Sequence, residues 1–534
     1  MSAPSHVPLG HTAPEFRQWV FDELVKPIPL AIALFIVALT LMAFSDSQSH
    51  LKNVPLVNPP KSILQSSWNI KGSKTEFFHK SGDFFNRARA LFPGKPFRIM
   101  TNMGPVTILP PELGNEIRNS PDVSFADTMQ KDFHQGIPGF EGMASGNRNH
   151  SLVVAVARKS LTKSLTKVTQ PVAQETNYAL LTNLGESSEW QTFNLQEIML
   201  DVIARASSRV FLGEDLCRNE DWLHIAKTYT VSIFREAFKM NLVPPVLRPL
   251  VHWFMPGVQE LRAYIAKTNA LIKPVIEKRR QLKDEAMARG EPVPRYDDAI
   301  QWIEDEAKGE PHDPVLVQLA MSIAAIHTTT DLISRTVLDL ASRPELVDEL
   351  RAEVITMLRA EGWKKTALFN MKLMDSAIKE TQRLKPLFSV VMRRLVKAPL
   401  KLSNGIEFRP GDRFEVDTWG PMLDPAIHKN PETYDPRRFL RWRETPGLEP
   451  RAHLVSTSPE HMAFGYGDHA CPGRFFAANE IKIVLCHLLL QYDWKLAPGT
   501  DTTPVIHGFS LHTNPATQLL FRRRIHSELD VNSL

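Results

Sequence analysis

A chain of 534 residues that is 43% apolar and 23% charged has ample material for a large buried core and lacks the bias of a disordered or fibrous protein. Its formal charge of +4 is too small to mark a nucleic-acid partner, and three cysteines (Cys217, Cys471, Cys486) exclude a disulfide framework and point to a reducing compartment. No repeat or Gly/Ser-rich linker divides the chain after about residue 60, so one large domain is expected.

Taken in order, residues 1–27 are a polar segment, and 28–44 form an apolar run interrupted only by Pro29 and Thr40. As a helix the run would be roughly 26 Å long, near the thickness of a bilayer core, and no small-residue cleavage site follows it, so it reads as a membrane anchor. Residues 45–62, with Pro55, Pro59 and Pro60, predict a stiff extended spacer. Phe97–Thr101 and Val106–Leu109 predict a hairpin about a Gly104-Pro105 turn, and His134–Phe140 a loop. A helix over Leu152–Leu165 carries Arg158 and Lys159, on sequence alone a solvated cationic face. Between Val243 and Pro256 prolines prevent a long helix; this apolar stretch, with Trp253 and Phe254, is either a buried connection or, the reading preferred, a surface that dips into a bilayer beside an apolar substrate entrance.

Asp313-Pro314 opens a long helix and Arg343-Pro344 closes it. Its interior run Ala324-Ala325-Ile326-His327-Thr328-Thr329-Thr330-Asp331 predicts a bent or opened turn, with a hydroxyl bonding back to the chain. Glu380 and Arg383 share one face of a helix over Met371–Leu384. An apolar strand, Leu387–Met392, then ends in Arg393-Arg394, and Tyr434–Phe439 is an extended segment carrying Arg438. Finally Phe464 to Ala477 reads as a glycine-rich loop that delivers Cys471 to the start of a helix with Pro472 at its first position. There the helix end favours a thiolate, which beside flat Phe464 suits axial ligation of heme iron. A buried structural cysteine and a zinc site of His461, His469, Cys471 and Cys486 are the rival readings, the latter with spacings unlike paired zinc ligands. Pro472 cannot donate to the sulfur, which leaves the Gly473 and Arg474 amides. No dinucleotide fingerprint is present, so electrons would come from outside; Lys482, Arg441 and Arg443 are candidate docking charges.

The run F-G-Y-G-D-H-A-C-P-G-R-F-F-A resembles the heme-binding signature of the cytochrome P-450 superfamily, and Ala324–Asp331, Glu380 with Arg383, and Arg438 precede it in that family's order. The resemblance spans roughly residues 50 to 525 and implies a mainly α fold with small β-sheets around a buried heme: a catalytic domain over 63–525 and a tail over 526–534. It implies heme b on Cys471 beside Phe464, Gly465 and Gly473, with O2 as co-substrate. It places His469, Arg393 and Arg158 on the heme propionates, although Val154 stands where many members carry Trp. Thr328 would order water for proton delivery to dioxygen, and His327 occupies the position usually held by an acid. Glu380, Arg383 and Arg438 would form a buried ion network. Ala324, Val390, Val391 and Leu511 would line the substrate pocket, with the 134–140 loop above the heme and Gly508–His512 as the last substrate-contact turn. The resemblance further implies a monomer anchored in the endoplasmic reticulum with a cytosolic catalytic domain, served by NADPH–cytochrome P-450 reductase. The Ala-Ile-His-Thr-Thr-Thr-Asp variant is similar to fungal terpenoid-pathway members such as ent-kaurene oxidase and the oxidases of indole diterpenes and meroterpenoids, implying an apolar terpenoid substrate. A heme-thiolate isomerase or dehydratase, and a membrane-tethered heme carrier or sensor, remain open at this point.

Overall fold

The computed structural model describes residues 35, 50–59, 70–143 and 147–531; segment 1–27 and, Phe35 apart, the anchor 28–44 lie outside the described residues. The fold is mainly helical. Its principal helices are α1 (Ile70–Leu91), α2 (Arg148–Ala155), α3 (Thr162–Leu184), α4 (Leu195–Phe211), α5 (Glu220–Asn241), α6 (Pro256–Arg289), α7 (Pro314–Ala341), α8 (Pro344–Glu361), α9 (Lys372–Leu384), α10 (Arg438–Glu444) and α11 (Arg474–Gln491). Helix α7 begins where its sequence requires: Asp313 caps it by accepting the amides of Val315 and Leu316, and Pro314 sits where no amide partner is needed. Being apolar on most faces, it is covered by α2, α4, α5, α9 and α11. Among the described residues α7 alone is long and apolar enough to cross a membrane, but it is the core helix of this domain. It runs without a break through the threonines, so the expected opened turn is absent.

A five-stranded sheet flanks the helices. Its strands β1 (Phe97–Thr101), β2 (Gly104–Leu109), β3 (Val123–Ser124), β4 (Val390–Val396) and β5 (Arg413–Asp417) lie in the order β1-β2-β5-β4-β3. The β1–β2 hairpin turns at Asn102 and Met103, not at Gly104-Pro105: Gly104 pairs with Thr101 and takes a positive φ of 105° as the first residue of β2. Strand β4 begins three residues later than expected and carries one extra residue against β5 between Val391 and Arg394, with Met392 at φ 56°. A separate hairpin, β6 (Val505–His507) and β7 (Ser510–His512), turns at Gly508.

Within the stretch expected to be an extended spacer, residues 50–59 pack on the domain. Leu51, Val54 and Val57 are buried, Leu56 bridges Arg98 on β1, and the Arg98 amide donates to the Pro55 carbonyl at 2.7 Å. The physical reason is that its apolar residues find slots at the sheet edge, and their burial outweighs the preference of the prolines for a solvated extended chain. Residues 526–531 likewise dock on the body, the Trp363 indole donating to the Val531 carbonyl at 3.1 Å.

Candidate functional site

The cysteine loop is held from several sides. The Cys471 amide donates to the Phe464 carbonyl at 2.7 Å, closing a turn in which Gly465 and Gly467 both have φ of 73°. A Cβ on Gly467 would lie 2.7 Å from the Cβ of Arg118, so only glycine fits there. Helix α11 starts at Arg474 with Gly473 as its cap, leaving Pro472 in the turn, two residues later than the sequence suggests. Burial pushes the Cys471 thiol above its ordinary value, outweighing the opposing pull of the nearby Gly473 and Arg474 amides and of the Arg474 charge. The helix end alone therefore does not make a thiolate, and coordination to a metal would have to displace the proton.

Beside this loop lies a cluster of bases. Arg158 stands on a π-helical turn, Val156–Leu161, a feature enriched at functional sites, and donates to the Asp468 carbonyl. His469 keeps part of its surface open, and partial desolvation, then the charges of Arg394 and Arg158, lower its pKa. Arg393, expected in this cluster, instead pairs with Glu415 at 2.9 Å and Asp132 at 3.4 Å. The extra residue in β4 rotates the chain between Val391 and Arg394, so that Arg393 meets the carboxylates and Arg394 takes the place beside His469. Arg394 is 2% exposed, donates Nη1 to the Arg393 carbonyl at 2.9 Å and has no partner for Nη2; burial pulls its pKa down to about 10. A buried guanidinium with a free N–H calls for an anion. The residues present thus fit a heme: a sulfur ligand, and a cationic cluster able to take its carboxylates.

Helix α7 offers the other wall. Ala324 and Thr328, one turn apart, are exposed although most of the helix around them is buried, so they line an open face in the interior. The Thr328 hydroxyl donates to the Ala324 carbonyl at 2.8 Å and lies 3.2 Å from that of Ala325, which leaves its oxygen free to accept from water. His327 points elsewhere: its Nε2 donates to the Lys227 carbonyl of α5 at 2.8 Å, and burial lowers its pKa. Through that bond it joins two helices. Of the other expected lining residues Val390 and Leu511 are buried and Val391 half-buried. The 134–140 loop closes through Tyr229, whose hydroxyl donates to the Gly139 carbonyl at 3.0 Å.

Glu380, Arg383 and Arg438 meet as a buried network. Arg383 binds Glu380 through two bonds of 2.7 and 2.8 Å and donates to the Met422 carbonyl at 2.6 Å; Arg438 reaches both Glu380 oxygens at 3.1 Å and the Lys429 carbonyl at 2.7 Å. Every charge there is hydrogen-bonded, as a buried ion cluster requires.

Two expected docking charges are already paired. Lys482, buried, and Arg443, half-buried, both pair with Asp375, at 2.7 and 2.5 Å, because α9 brings an acid to them that no local spacing reveals. Arg441 is exposed and pairs with Asp435. The zinc reading also fails: Cys486 is fully buried with its sulfur 3.6 Å from that of Met371, and among the described residues no group of three His, Cys, Asp or Glu could hold a metal.

Comparison with known proteins gives the family. The family profile "Cytochrome P450" matches residues 64–520. Cytochrome P450 monooxygenase hepE of Aspergillus oryzae is 43% identical over 88% of this chain and 86% of its own length. Cytochrome P450 monooxygenase eqxH of Fusarium heterosporum is 41% identical over 94% of this chain and 95% of its own, and monooxygenase TRI1 of Fusarium sporotrichioides 37% identical over 90% and 87%. Among solved structures, retinoic acid-bound cyanobacterial CYP120A1 superposes with a TM-score of 0.63 over 84% of this chain and 96% of that one; at 19% identity this shows the fold alone. Matched by the family profile over most of its length and by named fungal monooxygenases over nearly all of it, the chain belongs to the cytochrome P450 family of monooxygenases.

Proposed function

We propose that this monooxygenase oxidises an apolar, terpenoid-type secondary metabolite at the cytosolic face of the endoplasmic reticulum, with electrons delivered from NADPH by cytochrome P-450 reductase. The observation that carries the reading is the open Ala324–Thr328 face on a buried helix, in a chain whose cysteine loop and cationic cluster fit a heme. The apolar lining and the resemblance of Ala324–Asp331 to fungal terpenoid-pathway enzymes support the substrate class.

When bound, the heme supplies dioxygen activation and oxygen insertion into a C–H bond. The protein does the rest. Cys471 ligates through sulfur, tempered by the Gly473 and Arg474 amides; Arg394, His469 and Arg158 receive the carboxylates, Arg394 replacing Arg393 in that role. The hydroxyl of Thr328, oriented by the Ala324 carbonyl, holds a water and passes its proton into the pocket. Dithionite-reduced protein under carbon monoxide should show a band near ~450 nm. Thr328→Ala should keep that band while diverting NADPH into hydrogen peroxide, product per NADPH falling by about tenfold in a screen of terpenoid scaffolds. Unchanged coupling would remove Thr328 from proton delivery.

Membrane attachment is supported by a surface as well as by the apolar N-terminal run. Between α5 and α6 short turns expose Val246, Leu250, Trp253 and Phe254, the last 76% exposed. Burying two large aromatics is worth about 2 kcal/mol each. In protein lacking residues 1–49, Trp253→Ser with Phe254→Ser should therefore weaken binding to phospholipid vesicles by at least about tenfold. Equal binding by both proteins would show that this surface stays in water.

A further inference from the structure

Three residues beyond Thr328 on α7 a buried clamp begins. Asp331 and Arg335, one turn apart, pair at 2.8 Å with side chains 4% and 2% exposed. Asp331 Oδ1 accepts the Thr513 amide at 2.8 Å and lies 3.2 Å from the Thr513 hydroxyl. Arg335 donates to the carbonyls of Leu511 and Lys385. Helix α7 thus grips both β7 and the chain leaving α9. From its other side β7 is tied to the stretch before β4: the Leu511 amide donates to the Leu387 carbonyl at 2.8 Å, the Ser389 amide to the Phe509 carbonyl at 2.9 Å, and Ser510 bridges Phe388. At 1.5 Å per residue, Asp331 lies about 4.5 Å along the axis from Thr328. Segment 509–513 is therefore held next to the turn of α7 that bears the open face.

A buried ion pair stabilises poorly compared with an apolar pair of the same volume, so stability alone is a weak reason for this one. Its distinctive property is geometric. A planar guanidinium and a carboxylate grip backbone atoms of two other segments, and the bonds to β7 survive changes in its side chains, Thr513 hydroxyl apart.

We propose that Asp331 and Arg335 are a positioning pair that sets the depth of the β6–β7 turn over the pocket, and thereby which part of a bound substrate reaches the reacting centre. The proposal rests on the function given above; neither residue touches substrate. The test measures binding of imidazole and of 1-dodecylimidazole by absorbance in the full-length heme protein, for wild type, Asp331→Asn and Arg335→Lys. Both probes ligate through the ring, but only the second fills the pocket with an apolar tail. The variants should keep the ~450 nm band and bind imidazole within about twofold of wild type, yet bind 1-dodecylimidazole about tenfold more weakly. The amides of residues 510–513 should also exchange faster with deuterium. Unchanged affinity for the tailed probe despite faster exchange overturns the proposal, as does equal weakening of both probes, the mark of a general scaffold defect. Should Asp331→Asn lose the band, Thr513→Val, which leaves the ion pair and the amide bond in place, carries the same test with about threefold expected and no change overturning it. A wild type without the band or a response to imidazole would instead sink the function reading, while exchange at 510–513 still reports the clamp.

Discussion

Glu380→Gln is expected to cost on the order of 3–5 kcal/mol of folding stability and to give protein that does not retain heme. The substitution preserves shape and one acceptor, so the effect isolates charge. Arg383 and Arg438 both pair with this carboxylate, and the first is fully buried. Their remaining bonds, to the carbonyls of Met422 and Lys429, keep both guanidiniums inside when the carboxylate charge is removed. Two desolvated cations then face one neutral amide. Against a typical total of about 5–15 kcal/mol, that loss is a large fraction of what holds the domain together. Urea unfolding and heme content measure it. Glu349→Gln, which breaks the half-exposed Arg437–Glu349 pair, should change stability by less than about 0.5 kcal/mol. If the two variants behaved alike, the network would be dispensable and the cysteine loop supported by other means.

Cys471→Ser should abolish the ~450 nm band and lower turnover by at least about a thousandfold, with the fold intact. Serine is slightly smaller, and its oxygen sits near the same Gly473 and Arg474 amides. A buried hydroxyl, however, is a far weaker acid than a thiol already pushed up by burial, and it does not yield the anionic ligand the chemistry needs. Cys217→Ser and Cys486→Ser should leave the band in place: burial pushes the Cys217 thiol up to about 11 and holds that of Cys486 higher still, so both are inert. A Cys471→Ser protein that kept the band would mean that another residue ligates the iron.

The parts of the site written as contiguous motifs were legible in the chain: the cysteine loop, the threonine run and the Glu380–Arg383 spacing each lie within a few residues, where local geometry follows from order. What was not legible depends on partners brought from far away. Lys482 and Arg443 look like surface charges until Asp375, on another helix, is seen between them. That His327 also joins α7 to α5, through the Lys227 carbonyl, is equally invisible in sequence. Residues 50–59 look like a spacer because prolines are visible in sequence and the sheet edge that buries Leu51, Val54 and Val57 is not. The Asp331–Arg335 clamp did leave a signal: an acid and a base four apart in a largely buried helix pair readily, since neither can be buried alone.

The irregularity at Met392 also bears on how such chains can be compared and rebuilt. Because β4 carries one residue more than its partner, the two adjacent arginines face different neighbours, carboxylates for Arg393 and the cysteine loop for Arg394. A homologue with a regular strand would present its first arginine where this one presents its second. Alignment by residue count alone would then pair arginines of opposite duty, whereas deleting Met392 would regularise the strand with Arg394 still opposite Phe414 and Arg393 opposite Glu415.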